Sequence, residues 1–268
     1  MTHESPLGKT ATYSGQYDPG LLFAIPRAES RGTLGLGNDL PFNGCDIWNA
    51  WELTWLGPNG VPQIATAEIR VPASSGNIIE SKSLKLYLNS FSMTEFASTD
   101  DVKAAIQNDL GQLTDSDLNI ALTTATGESP VEEFAGQCID SVDAKCTVYT
   151  VDASLLRSGG DVISQSLHSH LLRSLCPVTN QPDIGSVLIS YQGPRIDQAG
   201  LLQYIVSYRN HNDFHEACVE RMFVDILERC GPEKLTVYAR YQRRGGIDIN
   251  PFRSNFESKP ANIRLWRQ

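Results

Sequence analysis

The sequence contains no apolar run long enough to span a bilayer and no apolar leader behind a basic N-terminus. Neither a helical membrane span nor a secretory signal is therefore expected. Its six cysteines (Cys45, Cys138, Cys146, Cys176, Cys218, Cys230) include no Cys-x-x-Cys pair. Spacing thus suggests neither a zinc ribbon nor a small-domain disulfide framework, and the expected setting is the reducing cytoplasm, with no metal. Basic residues are outnumbered, 22 Lys and Arg against 31 Asp and Glu, for a net charge of −9. Direct nucleic-acid binding is accordingly not expected. No Gly-x-Gly-x-x-Gly opens a helix after a strand, so the sequence gives no dinucleotide-binding fingerprint. Disorder is excluded as well: only 20% of the 268 residues are charged and 41% are hydrophobic, enough to core one large domain or two ordinary ones.

The patterning reads as α+β. Residues 1 to about 45 are rich in Gly, Pro and Ser and suggest an extended arm. Residues 47–56 and 61–71 alternate at period two around Gly57-Pro58-Asn59-Gly60, the pattern of two strands and a turn. A helix is expected from Glu80 to Phe91, a second from Thr99, with Thr99 as its N-cap and Asp100-Asp101 in its first turn, to about residue 113, and strands near 118–124 and 146–151. The order then recurs: strands over 161–172 and 184–191, helices over 200–208 and 214–230, and a closing strand over 235–241. This weak repeat of supersecondary structure predicts two domains, residues 1–158 and 159–268, each an antiparallel sheet with a helix pair on one face.

Three polar motifs are divided unequally between the halves. The segment Ser174 to Asp183 holds Cys176-Pro177 and Pro182-Asp183. It is a stiff turn bringing a possible sulfur nucleophile near a possible proton donor. Alternatively Cys176 packs as a small hydrophobe and Asp183 caps the turn. Glu80-Ser81-Lys82-Ser83-Leu84-Lys85 opens the first helix and sets Lys82 and Lys85 on one face above a helix N-terminus, a pattern suited to phosphates or simply a solvated face. Phe214-His215-Glu216 puts a ring, an imidazole and a carboxylate at the start of a later helix. Such a carboxylate can hold a guanine-like base, or can merely favour the helix dipole.

These motifs, with Arg243-Arg244-Gly245-Gly246-Ile247-Asp248-Ile249-Asn250-Pro251, resemble the long form of the NADPH-dependent nitrile reductases that act on 7-cyano-7-deazaguanine (preQ0) in queuosine biosynthesis. The likeness covers nearly the whole chain. It implies tandem tunnelling-fold (T-fold) domains and a homodimer, with NADPH as cofactor and preQ0 as substrate. It further implies that Cys176 attacks the nitrile to give a thioimide, that Asp183 is the general acid and that His215 assists proton transfer. The implied substrate contacts are Ile79, Glu80, Ser81, Phe214, His215 and Glu216, and the implied cofactor contacts are Ser81, Lys82, Arg244 and Gly245, with Lys85 as helper.

Three other readings compete. A zinc-dependent GTP cyclohydrolase-like T-fold enzyme needs cysteine and histidine ligands, for which His168 and His170 on one strand face and Cys218 offer themselves. The preferred reading makes the two histidines ordinary sheet residues and Cys218 a core residue. A nitrile hydrolase shares the thioimide but needs a base to activate water. A purine-binding module needs neither Cys176 nor Asp183.

Overall fold

The computed structural model describes residues 14–37, 39–124 and 130–268. In chain order the strands and α-helices are β1 (Ala24–Pro26), α1 (Arg27–Thr33), β2 (Asn43–Leu56), β3 (Pro62–Pro72), β4 (Asn77–Ile79), α2 (Ser81–Ser90) and α3 (Thr99–Thr114). Then follow β5 (Asn119–Thr123), β6 (Val131–Glu132), β7 (Gln137–Cys138), β8 (Ser158–Leu175) and β9 (Pro182–Ile196). The chain closes with α4 (Gln198–Ser207), α5 (His215–Cys230), β10 (Lys234–Tyr241), β11 (Ile247–Ser254) and β12 (Arg264–Leu265). The class is α+β, as the pattern predicts.

Two compact units form, and neither is contiguous. Among the described residues, the first gathers 14–30, 46–124 and 243–248, and the second takes the remainder. The cut therefore differs from the expected 158/159 boundary in three places, the first being that residues 31–37 and 39–45 belong to the second unit. Residues 130–158 pack in the second unit because β6 pairs with β12 and β7 with β8. The Arg243–Asp248 turn packs in the first, where Asp248 accepts from Asn49 Nδ2 at 2.7 Å and from Trp51 Nε1 at 2.6 Å.

In the first unit β3 lies between β5 and β2, antiparallel to β5. In the second the order is β11-β10-β9-β8-β7, antiparallel except for the parallel β7–β8 edge. The long β8–β9 hairpin carries a register shift between Ser169 and Leu172. Past it the in–out alternation of the strand breaks, so Leu171 is 43% exposed while Leu172 is fully buried.

The repeat is closer than sequence patterning suggests, and reaches individual hydrogen bonds. Each helix pair begins with an acidic N-cap: Glu80 accepts from the Lys82 and Ser83 N–H groups, and Asp197 from those of Ala199 and Gly200. Tyr87 donates to Asp109 in one unit and Tyr204 to Asp225 in the other, both at 2.6 Å. The Ser90 and Ser207 hydroxyls donate back to the carbonyls of those tyrosines, again both at 2.6 Å. Burial and the facing carboxylate raise the Tyr87 phenol, and burial raises Tyr204 well above its ordinary value, so both are fixed as donors. Each second helix ends on a left-handed residue, Asp115 or Gly231. The hairpins match too. Leu56 N donates to Thr94 O and Leu175 N to His211 O. Gly57 N closes its turn on Val61 O, and Cys176 N closes on Gln181 O. Gly57-Pro58 in one copy thus stands where Cys176-Pro177 stands in the other.

Four sequence expectations are corrected. Residues 27–33 form a helix rather than an extended arm, held by a buried Arg27–Asp46 ion pair at 2.5 Å; residues 1–13 of that expected arm lie outside the described residues. Ser98, not Thr99, caps α3. No strand forms over 146–151, because that stretch is engaged through single bonds, Asn210 N to Tyr149 O among them, and the adjoining sheet edge is taken by β7. Finally, β11 is a strand buried along its whole length, and its polar Asp248, Asn250 and Arg253 hid it from a hydrophobic pattern.

Candidate functional site

In the second unit the end of the β8–β9 hairpin and the start of α5 are joined by backbone hydrogen bonds. Leu175 N donates to His211 O at 2.8 Å, and Asp213 N to Leu175 O at 3.2 Å. Between the strands Cys176 O accepts from Asn180 N at 3.0 Å, with Asn180 in the left-handed region at φ 55°. Cys176 is 7% exposed, at the mouth of this turn. Asp183 lies just inside β9 opposite Ser174, 5% exposed.

The first turn of α5 brings His215 to Asp183, with Nε2 3.2 Å from Oδ2. The His215 ring stacks on Tyr241, centroids 3.8 Å apart and planes 11° from parallel. The stack fixes the plane of the imidazole, and the N–H does not point along the line to Asp183; neither ring nitrogen has an aligned hydrogen bond among the described residues. The pair is therefore close enough to exchange a proton after a small reorientation. Tyr241 is the residue that sequence reasoning missed; its only signal was its place at the end of the closing strand. Glu216 is 3% exposed in the same helical turn, and Phe214 is the half-buried, extended residue before it, whose side chain caps nothing. Cys176, Asp183, Phe214, His215 and Glu216 thus share one end of one unit.

The first unit holds a second constellation. Glu80 is fully buried, and desolvation raises its carboxyl above the ordinary value while Lys85 and Lys82 oppose the shift. Because its carboxylate takes the Lys82 and Ser83 N–H groups, at 2.8 Å each, those donors are not open to a phosphate. This corrects the sequence reading of α2 as an anion-binding helix start: the side chains of Lys82 and Lys85 remain, without the backbone cradle. Ile79 is buried in β4, paired with Ala24, and Ser81 is the first residue of α2. Lys85 in turn meets the Arg244-Gly245 turn. Gly245 and Gly246 are both left-handed, at φ 61° and 80°, and a Cβ on Gly245 would lie 3.2 Å from Lys85 Cδ and Cε. Gly246 O accepts from Trp51 N at 2.9 Å, so the turn is pinned. Lys82, Lys85, Arg244 and Gly245 are remote in sequence yet belong to one unit.

Cys218, weighed above as a metal ligand, lies on α5 with no exposure, and burial pushes its thiol well up. It does not join His168 and His170. Cys138 does: its sulfur and one nitrogen of each histidine fall within 4.8 Å of one another. All six cysteines are free thiols, and among the described residues no helix is long and apolar enough to cross a membrane.

A family model described as "Nitrile reductase, 7-cyano-7-deazaguanine-reductase N-term" matches residues 13–122, and one described as "QueF-like protein" matches residues 182–260. A protein of Paraburkholderia xenovorans named NADPH-dependent 7-cyano-7-deazaguanine reductase is 54% identical over 274 residues, covering 100% of both chains. The protein of that name from Paraburkholderia phytofirmans is 53% identical with the same coverage. That from Burkholderia vietnamiensis is 52% identical over 98% of each chain. The chain belongs to the NADPH-dependent 7-cyano-7-deazaguanine reductase family. It is therefore an oxidoreductase, as the resemblance implies. A cyclohydrolase reading finds no support in these relatives, nor in the separation of Cys218 from the two histidines.

Proposed function

We propose that this nitrile reductase converts 7-cyano-7-deazaguanine to 7-aminomethyl-7-deazaguanine with NADPH, in queuosine biosynthesis, through a thioimide on Cys176. Two T-fold domains, a homodimeric assembly and a cytoplasmic location complete the reading; light scattering checks the dimer. The carrying observation is that Cys176, Asp183 and His215 are stitched into one end of one unit, in a chain similar to named reductases from end to end.

The chemistry follows from those positions. The Cys176 sulfur bonds to the nitrile carbon, and the electron pair displaced onto nitrogen takes a proton from Asp183, giving a neutral thioimide. His215, 3.2 Å from Asp183, resupplies the proton. NADPH, when bound, would supply two hydrides; after the first the Cys176–carbon bond breaks and sulfur departs as thiolate, and with the second the Asp183–His215 pair donates the further proton that the amine nitrogen takes up. Phe214 covers the bound ring and keeps water from the imine. Glu216 accepts from the donor edge of the deazaguanine and His215 borders it. Substrate contacts at Ile79, Glu80 and Ser81 belong to the same proposal.

The residues of the first unit suit NADPH. Lys82, Lys85 and Arg244 present cationic side chains, Ser81 a hydroxyl, and Gly245 leaves a gap that a Cβ would fill. Replacing Gly245 by Ala forces an L-residue to φ 61° and crowds Lys85. The strain is about 1 kcal/mol. Steady-state kinetics should show KM for NADPH raised by up to about fivefold, with KM for the nitrile unchanged. An equal rise in both would remove the turn from the cofactor site.

The function itself is tested by mixing full-length protein with preQ0 and NADPH and following NADPH absorbance and intact protein mass. Two NADPH oxidised per nitrile consumed, with a transient adduct of protein plus substrate, is the expected result. Ammonia release without NADPH oxidation would point to a nitrile hydrolase, and binding with neither change to a purine-binding module.

A further inference from the structure

Away from the Cys176 turn, β7 lies parallel to β8 with Cys138 opposite His168, and Ile139 N donates to His168 O at 2.9 Å. Three features hold this contact. Gly136 runs at φ 88°, where a Cβ would sit 2.2 Å from Ser166 O, so only glycine lets the chain come this near. The Asp140 carboxylate accepts from Ser169 Oγ at 2.6 Å and from His170 N at 3.1 Å. On β8, His168 and His170 are two apart and share one face, their ring centroids 5.3 Å apart.

Each imidazole is already oriented through one nitrogen. His168 Nδ1 faces the Ala135 carbonyl at 3.3 Å, and His170 Nδ1 faces Ser186 Oγ at 2.8 Å. Bonds of this kind from one ring nitrogen to a carbonyl or hydroxyl fix tautomer and orientation when the other nitrogen ligates a metal. Nε2 is the atom left for that purpose on both rings.

We propose that Cys138, His168 and His170 form a binding site for a borderline-soft divalent cation, Zn²⁺ first among them. One thiolate and two imidazoles are the donor set such ions prefer, and three protein ligands leave a fourth position for water. The three ligand atoms lie within 4.8 Å of one another, against roughly 3.3–3.8 Å between ligands around a tetrahedral zinc ion. Cys138 is exposed, so its side chain can turn as the ligands draw together on the ion. Binding ties the segment around β7 to β8 and uses no residue assigned to the reductase reaction.

Cobalt(II) titration of the full-length protein tests the site, because thiolate ligation gives a charge-transfer band and tetrahedral geometry gives intense d–d bands. One equivalent should bind with both signatures. Cys138→Ser, at an exposed position, should abolish the charge-transfer band; His170→Gln should weaken binding at least about tenfold and Ser186→Ala about tenfold. Cys176→Ala should leave the spectrum intact. Zn²⁺ should raise the Tm of the wild type and of Cys176→Ala but not of Cys138→Ser. No band in the wild type, a band that survives Cys138→Ser, or one lost only in Cys176→Ala overturns the proposal.

Discussion

Cys176→Ala should bind 7-cyano-7-deazaguanine and yet form no covalent adduct and oxidise no NADPH. Removing an essential nucleophile costs a factor of about 10⁴ or more where, as in hydrolases, the remaining groups cannot act alone. The substitution deletes one sulfur atom from the mouth of a turn whose closure depends on backbone atoms: Cys176 N to Gln181 O and Asn180 N to Cys176 O. The turn should therefore survive, and a folded, ligand-binding, inert protein is the specific expectation. Intact mass after incubation with the nitrile separates the cases. Wild-type protein gains the mass of the substrate and the variant gains none. A variant that turns over normally would place the covalent chemistry elsewhere or eliminate it.

The largest effect on stability should come from Glu220. Its carboxylate, 2% exposed, is shared by Arg31 through bonds of 2.7 and 2.9 Å and by Arg253 through bonds of 2.9 and 3.0 Å. Both guanidinium groups also approach the Phe42 ring, at 5.9 and 5.6 Å. Glu220→Ala leaves two buried cations without their anion. Breaking a buried pair in this way costs about 3–5 kcal/mol. For a chain of this size that lowers Tm by roughly 6–20 °C, readable by scanning calorimetry. Replacing all three residues together with apolar side chains of similar size should recover most of the loss, since desolvating the ions offsets much of what the triad contributes. A Tm within about 2 °C of wild type for Glu220→Ala alone would mean that water reaches the triad and screens it.

Whether an element could be read from the sequence followed from how its side chains meet the core. Both hairpins and all four long helices were legible because apolar residues recur in them at period 2 or 3.6, even in α4, where no residue is exposed. β11 was not legible, since a strand buried on both faces has no alternation to read and its Asp248, Asn250 and Arg253 are satisfied by partners elsewhere in the chain. The cysteine turn, Asp183 and the Phe-His-Glu segment could be found from residue type and order. Three further features could not. Tyr241 under His215, the return of Arg244 and Gly245 to the first unit beside Lys85, and Cys138 beside two histidines all depend on pairings between distant segments. The capping role of Glu80 had a local signal, an acid just before a helical run, and it was outweighed by the nearby lysines.

The matched Tyr–Asp bolts and hairpin turns give this chain a property useful at the bench: it carries its own reference. Tyr87→Phe and Tyr204→Phe remove matching hydroxyls that face matching carboxylates, each within a slightly different set of neighbours (Tyr17 also donates to Asp109, and Tyr208 meets Tyr204), once in the copy that holds a plain glycine turn and once in the copy that holds Cys176. Any difference between the two variants in turnover measures how far chemistry depends on the rigidity of its own scaffold, free of the usual uncertainty of comparing unrelated sites.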